Sequence, residues 1–110
     1  VCLEALPYPA ERQEVEEELR AAGKEVIPIS LDQMHRYVGN LLQLRGTPLA
    51  GGPERLFILL SETAFLALHP EQRLALQRHG QLVPVPVPTI EAVGGGSVRC
   101  MLAENFLSGV

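Results

Sequence analysis

The chain reads as an α/β fold in which short strands alternate with helices. Three observations predict it. Apolar residues recur at helical spacing along "AERQEVEEELRAAG". Compact apolar runs such as "RLFILL" are bounded by turns rich in glycine and proline. A shift of 56 positions, which carries Val26 onto Leu82, lays the second half of the chain over the first. Apolar residues are 46% of the 110 positions and charged residues 20%, the proportions of a folded chain. That length is one domain or less, and folding can bury roughly two-thirds of the unfolded chain's surface.

Taken in order, "VCLEAL" is a short strand. After Pro7 and Pro9, "AERQEVEEELRAAG" is an amphipathic helix with Val15, Leu19 and Ala22 on one face and Gly23 as its stop. Its acidic run "EVEEELR" fits a solvated face. "EVIPIS" is a second strand. Ser30 and Gln33 have the spacing of a capping box for a helical turn over "LDQMHRY", which Gly39 ends. "NLLQLR" and "RLFILLS" flank the turn-rich "GTPLAGGPE" and are expected to form a hairpin. Pro70 suits the first turn of a helix over "PEQRLALQRHG", with Gly80 at its end. "QLVPVPVP" is extended, and its prolines argue for an edge strand. Thr89 is placed to cap a short turn over "TIEAV", and the glycines after it lead into "SVRCMLAENFL", read as a last strand.

Under the 56-position shift, Pro28 falls on Pro84, Met34 on Ile90, Gly39 on Gly95 and Asn40 on Gly96. No single match carries the repeat; their shared order does. Such a period points to a repeat architecture, with units at about 1–45 and 46–110. Two units alone leave strand edges that invite self-association, so further units are expected beyond this chain. Val1 is not an initiator methionine, and the chain is read as beginning partway through something larger.

Nine Lys and Arg against thirteen Asp and Glu give a net charge of −4, with no basic footprint for nucleic acid. The opening residues lack the basic start and long apolar run of a signal peptide. No apolar run is long enough to span a bilayer. Cys2 and Cys100 have no metal-like spacing, and a reducing cytoplasm is the expected compartment.

The chemistry concentrates in "VGGGSVRCMLAENF". On a strand, Val98, Cys100 and Leu102 share one face, and Ser97, Arg99 and Met101 the other, so Arg99 is poorly aimed at the sulfur. Two readings of Cys100 stand: a small apolar filler, as most free cysteines are, or a nucleophile. Of Gly94, Gly95 and Gly96, one can end the preceding turn in a left-handed conformation. The surplus is either a flexible linker or backbone that a ligand approaches closely.

The stretch "GGGSVRCMLAENF" closely resembles the segment around the nucleophilic cysteine of the arginine deiminase and amidinotransferase superfamily, the guanidino-modifying penteins. "LVPVPVPTIEAVGG" and "ISLDQMHRYVGNLLQLR" are most similar to its citrulline-hydrolase and arginine-deiminase-related branch. The resemblance spans nearly the whole chain, and its most specific part is the glycine run with Arg99, Cys100 and Met101. It implies a propeller of five ββαβ units around a substrate channel, of which this chain is the C-terminal portion, about two units. It also implies a cysteine-dependent hydrolase of non-peptide C–N bonds in guanidino or ureido amino acids such as citrulline or arginine. Cys100 would attack the guanidino or ureido carbon, and water would hydrolyse the covalent intermediate. No metal and no cofactor is implied.

The superfamily's acid–base histidine and guanidinium-binding carboxylates lie in earlier units, and His35, His69 and His79 do not match its histidine motif. This piece is therefore expected to be inactive alone. Gly95 and Gly96 are candidates for substrate contact through their backbone. Asn40 either hydrogen-bonds the substrate's polar end or tolerates an unusual turn angle. Glu104, on the Cys100 face of a straight strand, contacts either the substrate ammonium or a neighbouring loop. The competing function is a non-catalytic interaction or regulatory fragment that keeps the repeat without the chemistry.

Overall fold

A computed structural model describes residues 1–107, so the last three positions of the expected second unit lie outside the described residues. The order is α1 (Pro9–Ala21), α2 (Leu31–His35), β1 (Leu42–Gly46), β2 (Arg55–Ser61), α3 (Glu62–Ala67), α4 (Pro70–Gln77), β3 (Gln81–Val85) and α5 (Pro88–Gly94). A 3-10 turn, Leu3–Ala5, precedes α1, and another, Val98–Met101, follows α5. The fold is mixed α/β, as expected, around one small sheet.

β2 is the central strand. β1 pairs with it antiparallel, Leu42 opposite Leu59, and closes the expected hairpin. Gly51 and Gly52, at φ +82° and +116°, turn the chain between them in a conformation that other residues rarely adopt. β3 lies parallel on the other side, Ile58 opposite Leu82, after a crossover through α3 and α4. It is an edge strand, which is where Pro84 can sit without breaking a ladder on both sides.

Three expected strands take other forms. "VCLEAL" is mostly the first 3-10 turn; only Val1 pairs, its amine donating to Ile27 O at 2.9 Å and its carbonyl accepting from Ile29 N at 2.9 Å. "EVIPIS" runs extended but joins no sheet, because among the described residues Val1 is its one neighbour by backbone-to-backbone bonds and Pro28 has no N–H to offer. "SVRC" is the second 3-10 turn, for a reason that belongs to the site. Two stops also differ. The turn after α2 is closed by Tyr37, at φ +64°, rather than by Gly39. Val87, not Thr89, caps α5, since Pro88 takes the first helical position.

The core is small. Leu60 and Ala64 are fully buried, and Val38 and Leu68 nearly so, with Ile29, Leu41, Phe65, Leu76 and Leu82 packed around them. α1 buries none of its residues; Val15 and Leu19 are half-covered, while Ala22 is exposed just past its end. The first forty residues join the sheet through Val38, Ile29 and Tyr37 at the core and through a set of polar contacts. Ser30 and Gln33 form the expected capping box on α2. Gln72 does the same work on α4, its side chain accepting from His69 N at 2.9 Å.

These two glutamines also bond each other. Gln33 Nε2 donates to Gln72 Oε1 at 2.7 Å and to Ala67 O at 2.8 Å, while Gln72 Nε2 donates to Pro28 O at 2.7 Å. Gln33 is only 4% exposed, so its partners cannot be replaced by water.

Gln33→Ala removes a cap, about 1 kcal/mol, and strands buried partners at about 1–3 kcal/mol. Urea denaturation of the full-length protein should show a loss of about 2–3 kcal/mol, and a loss below about 0.5 kcal/mol would refute the interlock.

Candidate active site

The cysteine turn is built from the end of α5. Gly95, at φ +66°, ends that helix in the left-handed conformation expected of one glycine. Gly96 has a different use. A Cβ there would stand 3.2 Å from Cys100 Cβ and 3.3 Å from its sulfur, so the side chain is absent to make room for the cysteine itself. Gly94 is the last residue of α5 and meets only Ile90, at 3.8 Å. Ser97 then begins the 3-10 turn, fully buried beside Val98 at 3% exposure.

A turn with three residues per repeat stacks Ser97 under Cys100, with Cys100 N donating to Ser97 O at 3.0 Å. The alternation expected of a strand is therefore wrong here: Val98 points inward, whereas Cys100 is exposed. The reason is Asn40. Its Oδ1 accepts from Arg99 N at 2.9 Å, taking the bond a strand would have given to a neighbour. Its Nδ2 then faces Cys100 Sγ at 3.1 Å. Arg99 N–H requires an acceptor, which fixes the amide's orientation with its donor on the sulfur. The Arg99 guanidinium reaches back to Leu41 O at 3.2 Å.

The sulfur's surroundings hold the Cys100 thiol below its ordinary range. The backbone of Ser97 contributes most and the Asn40 amide next; together with the residue's own backbone and the Arg99 charge they outweigh desolvation. Arg99 is thus the smallest of the favourable influences, in keeping with its expected poor aim. Cys2 and Cys100 are both free thiols.

Beneath the turn sits Glu91, 9% exposed. Ser97 Oγ donates to its Oε1 at 2.6 Å and Thr63 Oγ1 to its Oε2 at 2.7 Å. Burial pushes its carboxyl up, but the hydroxyls of Ser61, Ser97 and Thr63 more than offset this and hold it below the usual carboxylate range. The Tyr37 hydroxyl donates to Glu91 O at 3.0 Å, and Tyr37 O accepts from Asn40 N at 2.8 Å.

Of the residues expected at the site, Cys100, Asn40, Gly95 and Gly96 come together. Glu104 does not join them: it lies exposed on the extended segment after the turn, with no hydrogen bond or ion pair among the described residues. The turn angle foreseen for Asn40 belongs to Tyr37. His35 is exposed at the end of α2, His69 caps α4, and His79 Nε2 meets Glu25 Oε2 at 2.6 Å, so none reaches the sulfur. An apolar cavity of about 170 Å³ between Ile27, Ile29, Val38, Leu41 and Leu68 does not include Cys100. Ser97, Glu91, Thr63 and Tyr37 were not singled out from the sequence. An acid embedded in the apolar "TIEAV" was the one available signal.

Alkylation by iodoacetamide reads the thiolate, so its pH midpoint should fall below that of an ordinary thiol, about 8.5. Asn40→Ala removes a donor to the anion and should move that midpoint upward. An unchanged midpoint would mean the amide does nothing for the sulfur.

A family model described as N,N dimethylarginine dimethylhydrolase, eukaryotic, matches residues 1–107. Comparison with curated proteins and with solved structures yields no match. The matched family hydrolyses a guanidino C–N bond of a methylated arginine, which agrees with the guanidino chemistry implied by the glycine run and Cys100. With the match running through the cysteine turn and across the whole described chain, the protein belongs to the N,N-dimethylarginine dimethylhydrolase family.

Proposed function

We propose that this chain supplies the nucleophile of a hydrolase that cleaves a guanidino or ureido C–N bond, with methylated arginine first among the candidates and citrulline or arginine the nearest alternatives. The observation that carries the reading is the Asn40–Cys100 contact at 3.1 Å, since a side-chain donor on an exposed sulfur favours the thiolate. The thiolate attacks the guanidino carbon, and the methylated amine leaves with a proton. The S-linked amidino intermediate is then hydrolysed: water adds to the carbon, the C–S bond breaks, and a ureido product and free thiolate result. The proton transfers require a general acid and base, a histidine in the family the chain resembles; His35, His69 and His79 stand elsewhere, and the proposal places that group in another part of the full protein. The Gly95 and Gly96 backbone and Glu104 are proposed to border the substrate.

The proposed setting is a five-unit propeller with this chain as about the last two units. Several features support it. Both outer strands, β1 and β3, have an unpaired edge. Leu102, Phe106 and Leu107 are exposed apolar residues beside the cysteine turn, Phe106 at 88%. Surface of that kind asks to be covered, by further units or by another copy of the chain. No helix among the described residues is long and apolar enough to cross a membrane. The proposed compartment is the cytoplasm, where Cys100 stays reduced. A second reading, a regulatory fragment without turnover, is favoured by the lack of a histidine beside the sulfur among the described residues.

Cys100→Ser in the full-length protein should lower release of dimethylamine from asymmetric dimethylarginine by on the order of a thousandfold or more. Turnover that survives the substitution would refute Cys100 as the nucleophile.

A further inference from the structure

We infer that Glu91 is a positioning residue for Cys100, acting through Ser97. The inference rests on Cys100 being the nucleophile proposed above, but its first test needs no turnover.

A carboxylate 9% exposed loses most of its hydration, which hydrogen bonds must offset. Among the described residues nothing cationic pairs with it; the hydroxyls of Thr63 and Ser97 donate to it at 2.7 and 2.6 Å, and the Ser61 hydroxyl also bears on it. Ser97 is fully buried, and its backbone is the leading influence on the Cys100 thiol. The serine side chain has no other hydrogen-bond partner among the described residues, so the carboxylate is what anchors it, alongside the turn's own backbone bond from Cys100 N to Ser97 O.

The same residue also governs the other side of the sulfur. Glu91 O receives the Tyr37 hydroxyl at 3.0 Å, Tyr37 O receives Asn40 N at 2.8 Å, and Asn40 Nδ2 meets the sulfur at 3.1 Å. The bonds form a closed circuit, Glu91 to Ser97 to Cys100 to Asn40 to Tyr37 and back to Glu91. Both donors that face the sulfur from outside its own residue are thereby referenced to one buried residue. Among the described residues, Arg99 is the charged side chain among the influences on the thiol.

Charge and position predict opposite signs. If Glu91 acted as a nearby anion, removing it would ease thiolate formation and lower the alkylation midpoint. If it acts by position, removing it frees Ser97 and the midpoint rises. In the full-length protein, Glu91→Ala should raise the iodoacetamide midpoint by about half a pH unit or more and lower kcat at least tenfold with KM changed less than twofold. Glu91→Gln, which keeps an acceptor for Ser97 without the charge, should restore most of both. Ser97→Ala tests the same link without emptying the carboxylate's place, should Glu91→Ala fail to fold. Midpoints unchanged or lowered in both folded variants would overturn the inference. If midpoints rise but Cys100→Ser still turns over, the positioning stands and the catalytic reading falls.

Discussion

A single carboxamide sets the geometry on which the site depends. Asn40 offers an acceptor to Arg99 N at 2.9 Å and a donor to the Cys100 sulfur at 3.1 Å. Few side chains carry both functions on one rigid plane, and a carboxylate in the same place would present a second anion to the thiolate. By satisfying Arg99 N–H it also removes the reason for residues 97–101 to extend as a strand, and the segment winds instead into a tight turn. Asn40 sits two residues before β1, so the sulfur is held at a fixed offset from the sheet although sixty residues separate the two in sequence.

Polar pairs of this kind fix how the parts of the chain sit on one another, beside a core that supplies most of the stability. The fully or nearly buried cluster around Leu60 is small, and α1 adds nothing fully buried to it. Position is instead carried by the interlocked Gln33 and Gln72, and by Glu91 with its two hydroxyls. Hydrogen bonds add little net stability compared with burial of apolar surface, about 1 kcal/mol each, but a buried polar group left without its partner is strongly disfavoured. A structure organised this way has few alternative packings near the cysteine. Directionality, rather than the amount of buried surface, specifies the site.

How legible this was from the sequence follows from the same distinction. The hairpin, α1, the capping box of Ser30 and Gln33, and the edge character of β3 were all readable, because each depends on neighbours in sequence. The strands assigned to "VCLEAL", "EVIPIS" and "SVRC" were not. A short apolar run extends as a ladder only if a partner is present on its flank, and no local pattern states whether one is. For "SVRC" the partner was a side chain from the other half of the chain. The glycine run signals a close approach, and at Gly96 one of the groups that approaches is Cys100 itself; glycine announces such an approach without naming what approaches. Cys100 stands out by its motif, whereas nothing local marks Glu91, whose contact is with a serine six residues away.

The exposed sulfur bears on how such a site works. Hydration competes for a thiolate on the surface, and the amide donors gathered around it are worth less in water than in a dry cavity. The circuit through Glu91, Ser97 and Asn40 fixes those donors before anything covers them, so covering the sulfur would strengthen bonds already in place and need not create them. In the proposed propeller the cover is supplied by neighbouring units and by the substrate, whose guanidinium would add the positive charge that this turn draws only weakly from Arg99. The division of labour is then physical: this chain supplies geometry, and its surroundings exclude water. A nucleophile held by neutral dipoles gains most from that exclusion, since neutral donors can be buried without the desolvation penalty that a fixed cation would impose.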